Sequence, residues 1–201
     1  MPRPKQRTPQ LRDRVLQAAV GMLAHDGLAG FTTRKVAEGA GTSTPAVYEL
    51  FGDKAGLVRE MFFEGFRLLH RRLDGRGATG DPRADMVAVI VVLREFAQEN
   101  PALARLMFSR PFAEFDPGPC ERRAGSAVRE LIVARVRDCI DAGVLSGDPT
   151  DIAHVLLAVA QGMILQETAG WLGTSTESMD RRWDLAADVL VNGLSTARPA
   201  E

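Results

Sequence analysis

The chain has little of what most enzymes and secreted proteins carry. Its 201 residues include two cysteines, three histidines and one tyrosine. Cys120 and Cys139 are too few for a disulfide framework or a zinc site. His25, His70 and His154 stand far apart, with no ligand spacing. No segment alternates apolar and polar residues for long, so no sheet is expected. The longest apolar stretches, Met86–Leu93 and Val155–Leu165, fall short of the ~20 residues that a membrane helix needs. The basic start, MPRPKQRTPQLRDR, has no apolar core behind it and does not read as a signal peptide. These absences lead to the expectation of a soluble, cytoplasmic protein. The sequence also lacks a nucleophile elbow, a phosphate loop, a metal cluster and a carboxylate pair. Neither an enzyme nor a bound cofactor or metal is therefore expected.

What is present is a globular composition, 45% hydrophobic and 25% charged, with a net charge of −1. The charge is unevenly spread. Arg3, Lys5, Arg7, Arg12 and Arg14 face a single acid, Asp13, within the first fourteen residues. A basic arm on a mildly acidic body suggests that this end meets a polyanion.

Apolar spacing is helical almost throughout, so the expected fold is all-α. Five of the eleven prolines follow a residue able to cap a helix: Thr8-Pro9, Thr44-Pro45, Asp81-Pro82, Asn100-Pro101 and Asp148-Pro149. A capping oxygen accepts an orphan N–H, and proline has no N–H to leave unpaired, so each pair marks a helix start. A first helix is expected from Pro9 to Asp26, its apolar stripe formed by Leu11, Val15, Ala19 and Leu23 and its end set by Gly27. Short helices follow at Thr33–Ala40 and Pro45–Phe51, then a longer one opened by Asp53. Gly75–Gly80 reads as a linker. Beyond it, helices are expected at Pro82–Gln98, Pro101–Met107, Val128–Ile140, Pro149–Leu172 and Glu177–Leu194, with Ser109–Gly125 loop-like. The expected organisation is a first part over residues 1–52 with its basic arm, a connecting helix and linker over 53–80, and a helical second part over 81–201. The Pro149–Leu172 segment is apolar on more than one face and should be covered on more than one side.

The informative stretch is TTRKVAEGAGTSTPAVYELFGDKAGLV, Thr32–Val58. Two short helices meet at Gly41, with Ala37 four residues before it and Val47 six after. Helices that cross steeply need a small residue at the contact and a turn residue that accepts positive φ. Ala37 and Gly41 meet those needs, and Val47 drops an apolar side chain into the angle. That is a helix-turn-helix, whose second helix can enter a DNA major groove.

The same residues resemble the TetR family of bacterial transcription regulators. The shared pattern is a Thr-capped helix, an alanine, a turn glycine, a helix ending Tyr-x-x-Phe, then a lysine and a leucine. Here these are Thr33, Ala37, Gly41, Tyr48, Phe51, Lys54 and Leu57. Arg94–Pro119 and Gln161–Leu172 resemble the ligand domain of a subgroup named for a Trp-His-Gly motif, with Gln161 in place of its histidine.

The resemblance implies a homodimer, formed through the last two helices, that represses transcription at a double-stranded operator. It places Arg34 at a base edge or phosphate, and Tyr48 and Lys54 at phosphates. Ser43, Thr44, Pro45 and Ala46 would lie at the base edges, where Thr44 has helix capping as an equally good alternative. Thr33 is expected to cap its helix and present neighbouring N–H groups to a phosphate. Arg3, Lys5 and Arg7 would follow the minor groove or the phosphates. A two-fold dimer implies a near-palindromic target.

A small, largely apolar effector is expected between helices of the second part. Candidate lining residues are Phe96, Met107, Phe108, Phe112, Phe115, Gln161, Met163, Gln166 and Trp171. Release of DNA on effector binding is the behaviour that the resemblance implies. Two alternatives remain open: a DNA-binding protein without a small-molecule sensor, and a redox-responsive regulator working through Cys120 beside Arg122 and Arg123.

Overall fold

The computed structural model describes residues 9–108 and 119–194, and these are helical with short connections. In chain order the helices are α1 (Pro9–Gly30), α2 (Thr33–Gly39), α3 (Thr44–Phe51), α4 (Lys54–Gly75), α5 (Pro82–Glu99), α6 (Pro101–Phe108), α7 (Pro119–Asp141), α8 (Pro149–Thr168) and α9 (Thr176–Gly193). The all-α expectation holds. The chain forms two compact units, one from Met1–Phe66 with Asn100–Glu121, the other from Arg67–Glu99 with Arg122–Glu201. The division falls inside α4.

In the first unit, Leu11, Val15, Ala19 and Leu23 of α1 are all buried, as their spacing predicts. Gly27 then breaks α1 with φ 64° and ψ −175°, a conformation that glycine adopts without steric cost. α6 packs against α1 and seats Met107 on α4 at Gly65. A side chain at that glycine would collide with the Met107 sulfur.

In the second unit, Asp81 Oδ1 accepts from the Ala84 N–H at 3.1 Å and so caps α5. The segment read as a linker is tied down there. Thr79 donates to the buried Asp85 carboxylate from both its N–H, at 3.0 Å, and its hydroxyl, at 2.7 Å. The same bonds hold the Asp85 pKa below the ordinary carboxylate range. α8 opens at Asp148, whose carboxylate accepts from the N–H groups of Thr150 and Asp151. One expectation needs correction. Pro119–Gly125 is the first part of α7 rather than loop, because a proline in the first helical turn leaves no N–H unpaired and Ser126 Oγ donates to the Arg123 carbonyl. Within one chain, α8 is covered on one face only. Ile152, Ala153, Leu156, Ala160 and Ile164 are buried, while Val155 and Leu165 are exposed.

A charged cluster joins three helices of this unit. Arg94 of α5 forks onto Glu167 of α8, with Nε 3.1 Å from Oε2 and Nη2 3.0 Å from Oε1, and reaches Asp180 of α9 at 2.7 Å. Gln98 Nε2 and the Trp183 indole N–H also donate to Glu167, and the Arg94 guanidinium lies 5.4 Å from the Trp183 ring centroid. Burial would raise the Glu167 pKa, but the bonds from Arg94, Gln98 and Trp183 outweigh it and hold the carboxyl below its ordinary value. Because the folded-state pKa is lowered, this stabilisation is present above the unfolded glutamate value of about 4.3 and is lost as the pH falls through the folded one. Urea unfolding followed from about pH 6 to pH 3 should therefore show stability falling in acid. The fall should be shallower in Glu167→Gln, whose side chain does not titrate.

Candidate nucleic-acid interface

The first unit builds a helix-turn-helix from residues that have few conformational choices. Thr33, Val36 and Ala37 are buried on the inner face of α2, which turns Thr33 inward. The cap is therefore Thr32, not Thr33. Thr32 is extended (φ −131°, ψ 141°), and its Oγ1 accepts from the Lys35 N–H at 3.3 Å. Past α2, Gly41 takes φ 64°, and the Thr42 N–H donates to the Ala37 carbonyl at 2.9 Å, which closes the helix end. Ser43 resumes an extended conformation and its Oγ accepts from the Ala46 N–H, so Ser43 rather than Thr44 caps α3. Thr44 and Pro45 form the first helical positions. Val47 is 1% exposed and Ala37 2% exposed, and α2 packs against α3. Of the three residues that the spacing singled out, Ala37 and Val47 are buried and Gly41 makes the turn between their helices.

The outward surface follows from this register. Arg34 is exposed and lies 3.4 Å from Glu38 one turn along α2. Ser43, Pro45 and Tyr48 are exposed, with Thr44 and Ala46 half-buried beside them. Tyr48 keeps 45% of its surface in solvent although its helix neighbours Val47 and Phe51 are buried. Lys54, at the start of α4, is exposed with Nζ 5.6 Å from the Phe31 ring centroid. Thus Arg34, Ser43, Thr44, Pro45, Ala46, Tyr48 and Lys54 all belong to the segment around α3. Thr33 is close in sequence but enclosed, which leaves its backbone rather than its hydroxyl as the outward group. Arg3, Lys5 and Arg7 lie outside the described residues.

Several residues that hold this arrangement escape sequence reading. Arg12 of α1 bonds Glu60 of α4 at 2.8 Å and lies 5.1 Å from the Phe51 ring centroid, so one side chain ties α1 to both α3 and α4. Lys35 Nζ lies 2.8 Å from Asp26, which also contacts His25 Nδ1 at 2.9 Å. The bond from Lys35, then that from His25, holds the Asp26 pKa below its ordinary value. Asp53 Oδ1 accepts from the Gly56 N–H at 2.7 Å and caps α4. At Gly56 an added Cβ would run into the Phe51 carbonyl oxygen, so α3 and α4 approach as closely as a glycine allows.

The expected effector residues are scattered. Phe96 of α5 is 1% exposed in the second unit, whereas Met107 and the half-buried Phe108 belong to α6 in the first. Gln161 and Met163 are half-buried on α8. Gln166 is exposed, and Trp171, in the turn after α8, is 78% exposed, so neither is enclosed by its own chain as the reading of a buried helix had it. Phe112, Phe115 and the Cys120 side chain lie outside the described residues. Cys139 is buried with Sγ 3.0 Å from the Pro82 carbonyl oxygen, and burial, then Asp138 and Asp85, pushes its thiol up to about 11. It stays protonated and unreactive at neutral pH.

Comparison with known proteins agrees with this geometry. Residues 15–61 match the model of the bacterial regulatory proteins of the tetR family, and residues 86–190 match the tetracyclin repressor-like C-terminal domain. The chain belongs to the TetR family of transcription regulators. It is 34% identical over 106 residues to the nucleoid occlusion factor SlmA of Aliivibrio fischeri, covering 50% of this chain and 53% of that protein. The chain thus spans about half the length of that relative. It is 30% identical over 159 residues to the class A tetracycline repressor from transposon 1721 of Escherichia coli, covering 78% of this chain and 66% of the relative. A solved structure from Rhodococcus sp. RHA1, of a protein of unknown function, superposes with a TM-score of 0.81 at 27% identity and covers 96% of this chain and all of its own. Among the described residues no helix is long and apolar enough to cross a membrane.

Two substitutions test how the site is held. Thr32→Ala should destabilise the chain by about 1 kcal/mol in urea unfolding, more than Thr33→Ser does, because only Thr32 caps α2. Gly56→Ala should lower the melting temperature by forcing α4 off the Phe51 carbonyl, whereas Gly21→Ala in α1, where among the described residues nothing beyond that helix's own adjacent backbone lies within 4 Å of the added Cβ, should not lower it.

Proposed function

We propose that the chain is a transcriptional repressor that binds a near-palindromic operator as a homodimer and releases it when a small, largely apolar effector binds. In this reading residues 1–52 are the reading head, 53–80 the connection and 81–201 the sensing and dimerising part. The observation that carries it is the helix-turn-helix of α2 and α3, with Arg34, Tyr48 and Lys54 exposed around a recognition helix whose own first turn is small. Arg34 can grip guanine O6 and N7, Ala46 can touch a thymine methyl, and Tyr48 and Lys54 suit phosphates. The basic arm of Arg3, Lys5 and Arg7 adds affinity that salt weakens.

The dimer is supported by the uncovered faces of α8 and α9. Val155 is 48% exposed, Leu165 42%, Leu185 63% and Val189 60%. Between Val155 and Leu165 lie Ala158 and Gly162, both exposed. A glycine in mid-helix costs about 1 kcal/mol relative to alanine. Among the described residues, nothing beyond α8's own adjacent backbone comes within 4 Å of where a Gly162 Cβ would stand. A second copy crossing there gives that glycine a reason. On α9, Arg181 and Arg182 precede Leu185 and Asp188 follows it, so an antiparallel self-pairing about Leu185 sets opposite charges together. The effector reading rests on Phe96 and the half-buried Gln161 and Met163 in the second unit. The half-buried Gln161 amide suits a ligand with one polar end.

The similarity to a nucleoid occlusion factor favours a second reading, a DNA-binding protein that answers to something other than a small molecule. The two share the first experiment, a salt-titrated binding assay with DNA from upstream of the chain's own gene beside a scrambled duplex. Palindrome-dependent binding with a steep salt slope is expected, and equal, weak binding to both duplexes overturns the repressor reading. Arg34→Ala should cost about 1–3 kcal/mol and relax selectivity, while Lys54→Ala should weaken binding to all sequences and reduce the salt slope by about one. Binding that no apolar compound releases would leave the second reading standing. Leu185→Arg should yield monomers in sedimentation that bind a single half-site only.

A further inference from the structure

The recognition helix offers solvent very few side chains. Of the eight residues of α3, Val47 and Phe51 are buried, and Thr44, Ala46 and Leu50 are half-buried. Pro45, Tyr48 and Glu49 are the exposed ones. Pro45 and Glu49 each stand two residues from Val47, one on either side, and so lie about 160° around the helix from it. With Val47 1% exposed, the middle of the outward face falls between Pro45 and Glu49. Proline brings no side-chain donor or acceptor. Tyr48, about 100° around the helix from Val47, stands at the edge of that face, where it suits a phosphate. The polar group at the middle of the face is thus a carboxylate. All of these residues belong to the first unit. We propose that Glu49 is a specificity-determining residue that selects cytosine at one position of each half-site. The inference rests on the operator-binding reading above and names one base that the operator must carry.

A carboxylate at that place works against binding unless a base hydrogen-bonds to it. DNA carries one negative charge per ~1.7 Å of helix axis. Thr32–Val58 has no net positive charge to offset an acid held against it, because Arg34, Lys35 and Lys54 are balanced by Glu38, Glu49 and Asp53. An ionised carboxylate only accepts hydrogen bonds. In the major groove guanine presents N7 and O6, both acceptors, and thymine presents O4 and a methyl group. Adenine sets its N6 amino group beside the N7 acceptor. Cytosine presents its N4 amino group and no acceptor of its own. A cytosine N4–H is therefore the one base-edge donor that a carboxylate meets without facing a lone pair on the same base. Against any other base the charge loses water and gains no matching donor, so Glu49 acts as much by rejecting as by attracting.

The test uses the full-length chain. The wild type, Glu49→Ala and Glu49→Gln each select duplexes from a random library. Affinities are then measured for the wild-type duplex with each base pair in turn at the cytosine position. The wild type is expected to prefer cytosine there by at least about fivefold over the other three bases. Glu49→Ala should lose that preference and keep those at the remaining positions. Glu49→Gln should move it to adenine, whose N6 and N7 a carboxamide meets with one acceptor and one donor. Glu49 is exposed, so neither substitution should change the melting temperature. A further duplex carries N4-methylcytosine, which when paired keeps the N–H that bonds guanine and replaces the one in the major groove by a methyl group. The wild type should lose at least about fivefold on it, and Glu49→Ala less than about twofold. A selected half-site with no cytosine preference, an unchanged preference in Glu49→Ala, or full wild-type affinity for the methylated duplex overturns the proposal. A wild type that enriches no sequence at all overturns the operator-binding reading itself, which a selected sequence indifferent to Glu49 leaves standing.

Discussion

The packing of α2 on α3 across the Gly41 turn, with Ala37 and Val47 buried, is the constraint on which the DNA-reading surface depends. Neither helix is long enough to persist alone, at seven and eight residues, because helix nucleation is costly and short helices are marginal in water. They exist because each buries one side against its neighbours. Gly41 turns the chain at positive φ, Thr32 and Ser43 satisfy the orphan N–H groups at the two helix starts, and Phe51 is pinned between Arg12 and the start of α4. Once those positions are set, the outward direction of Arg34, Pro45 and Tyr48 is no longer a free choice. The site is thus a consequence of packing on the opposite side of the same helices.

The second unit solves a different problem. Carboxylates in its interior must be matched or they would not remain charged. Asp85 is matched by a threonine, through two donors of one residue, and Glu167 by an arginine, an amide and an indole. Replacing such a cluster with apolar side chains can leave a protein equally stable, so its presence points to direction rather than strength. Glu167 accepts from two different helices, α5 and α9, besides standing on α8. That arrangement specifies the angles at which the three meet, which a greasy contact would leave looser.

Much of this was legible in the sequence, for identifiable reasons. The Ala-Gly-Val spacing worked because steric rules at a steep crossing are severe and local. The helix starts at Asp81 and Asp148 worked because a carboxylate before proline has one dominant use. The failures occurred where two adjacent residues could both serve. Thr32 and Thr33, and again Ser43 and Thr44, are chemically equivalent as caps, and the choice between them is made by which one the inner face claims. Residues 119–125 looked like loop because proline and glycine weigh heavily in a local reading, although proline is tolerated in a first helical turn. The Arg94–Glu167 cluster was invisible because its members lie up to 89 positions apart, from Arg94 to Trp183, and nothing local marks them as partners.

The apolar pattern of α8 shows how a correct observation can lead to an incomplete structural statement. The helix is apolar on more than one face, and periodicity alone would enclose it. In a single chain only one face is enclosed, and the remaining face carries Val155, Ala158, Gly162 and Leu165 in solvent. A soluble monomer gains nothing from that stripe, and Gly162 weakens the helix that bears it. The two costs fall on the same surface of the same helix. A cost borne twice at one place, with no return inside the chain, points to a return outside it. The same logic applies to the exposed Leu185, with Arg181 and Arg182 about one turn before it and Asp188 one turn after it. A face of this kind specifies an orientation as well as an attraction, and the proposed dimer calls for both.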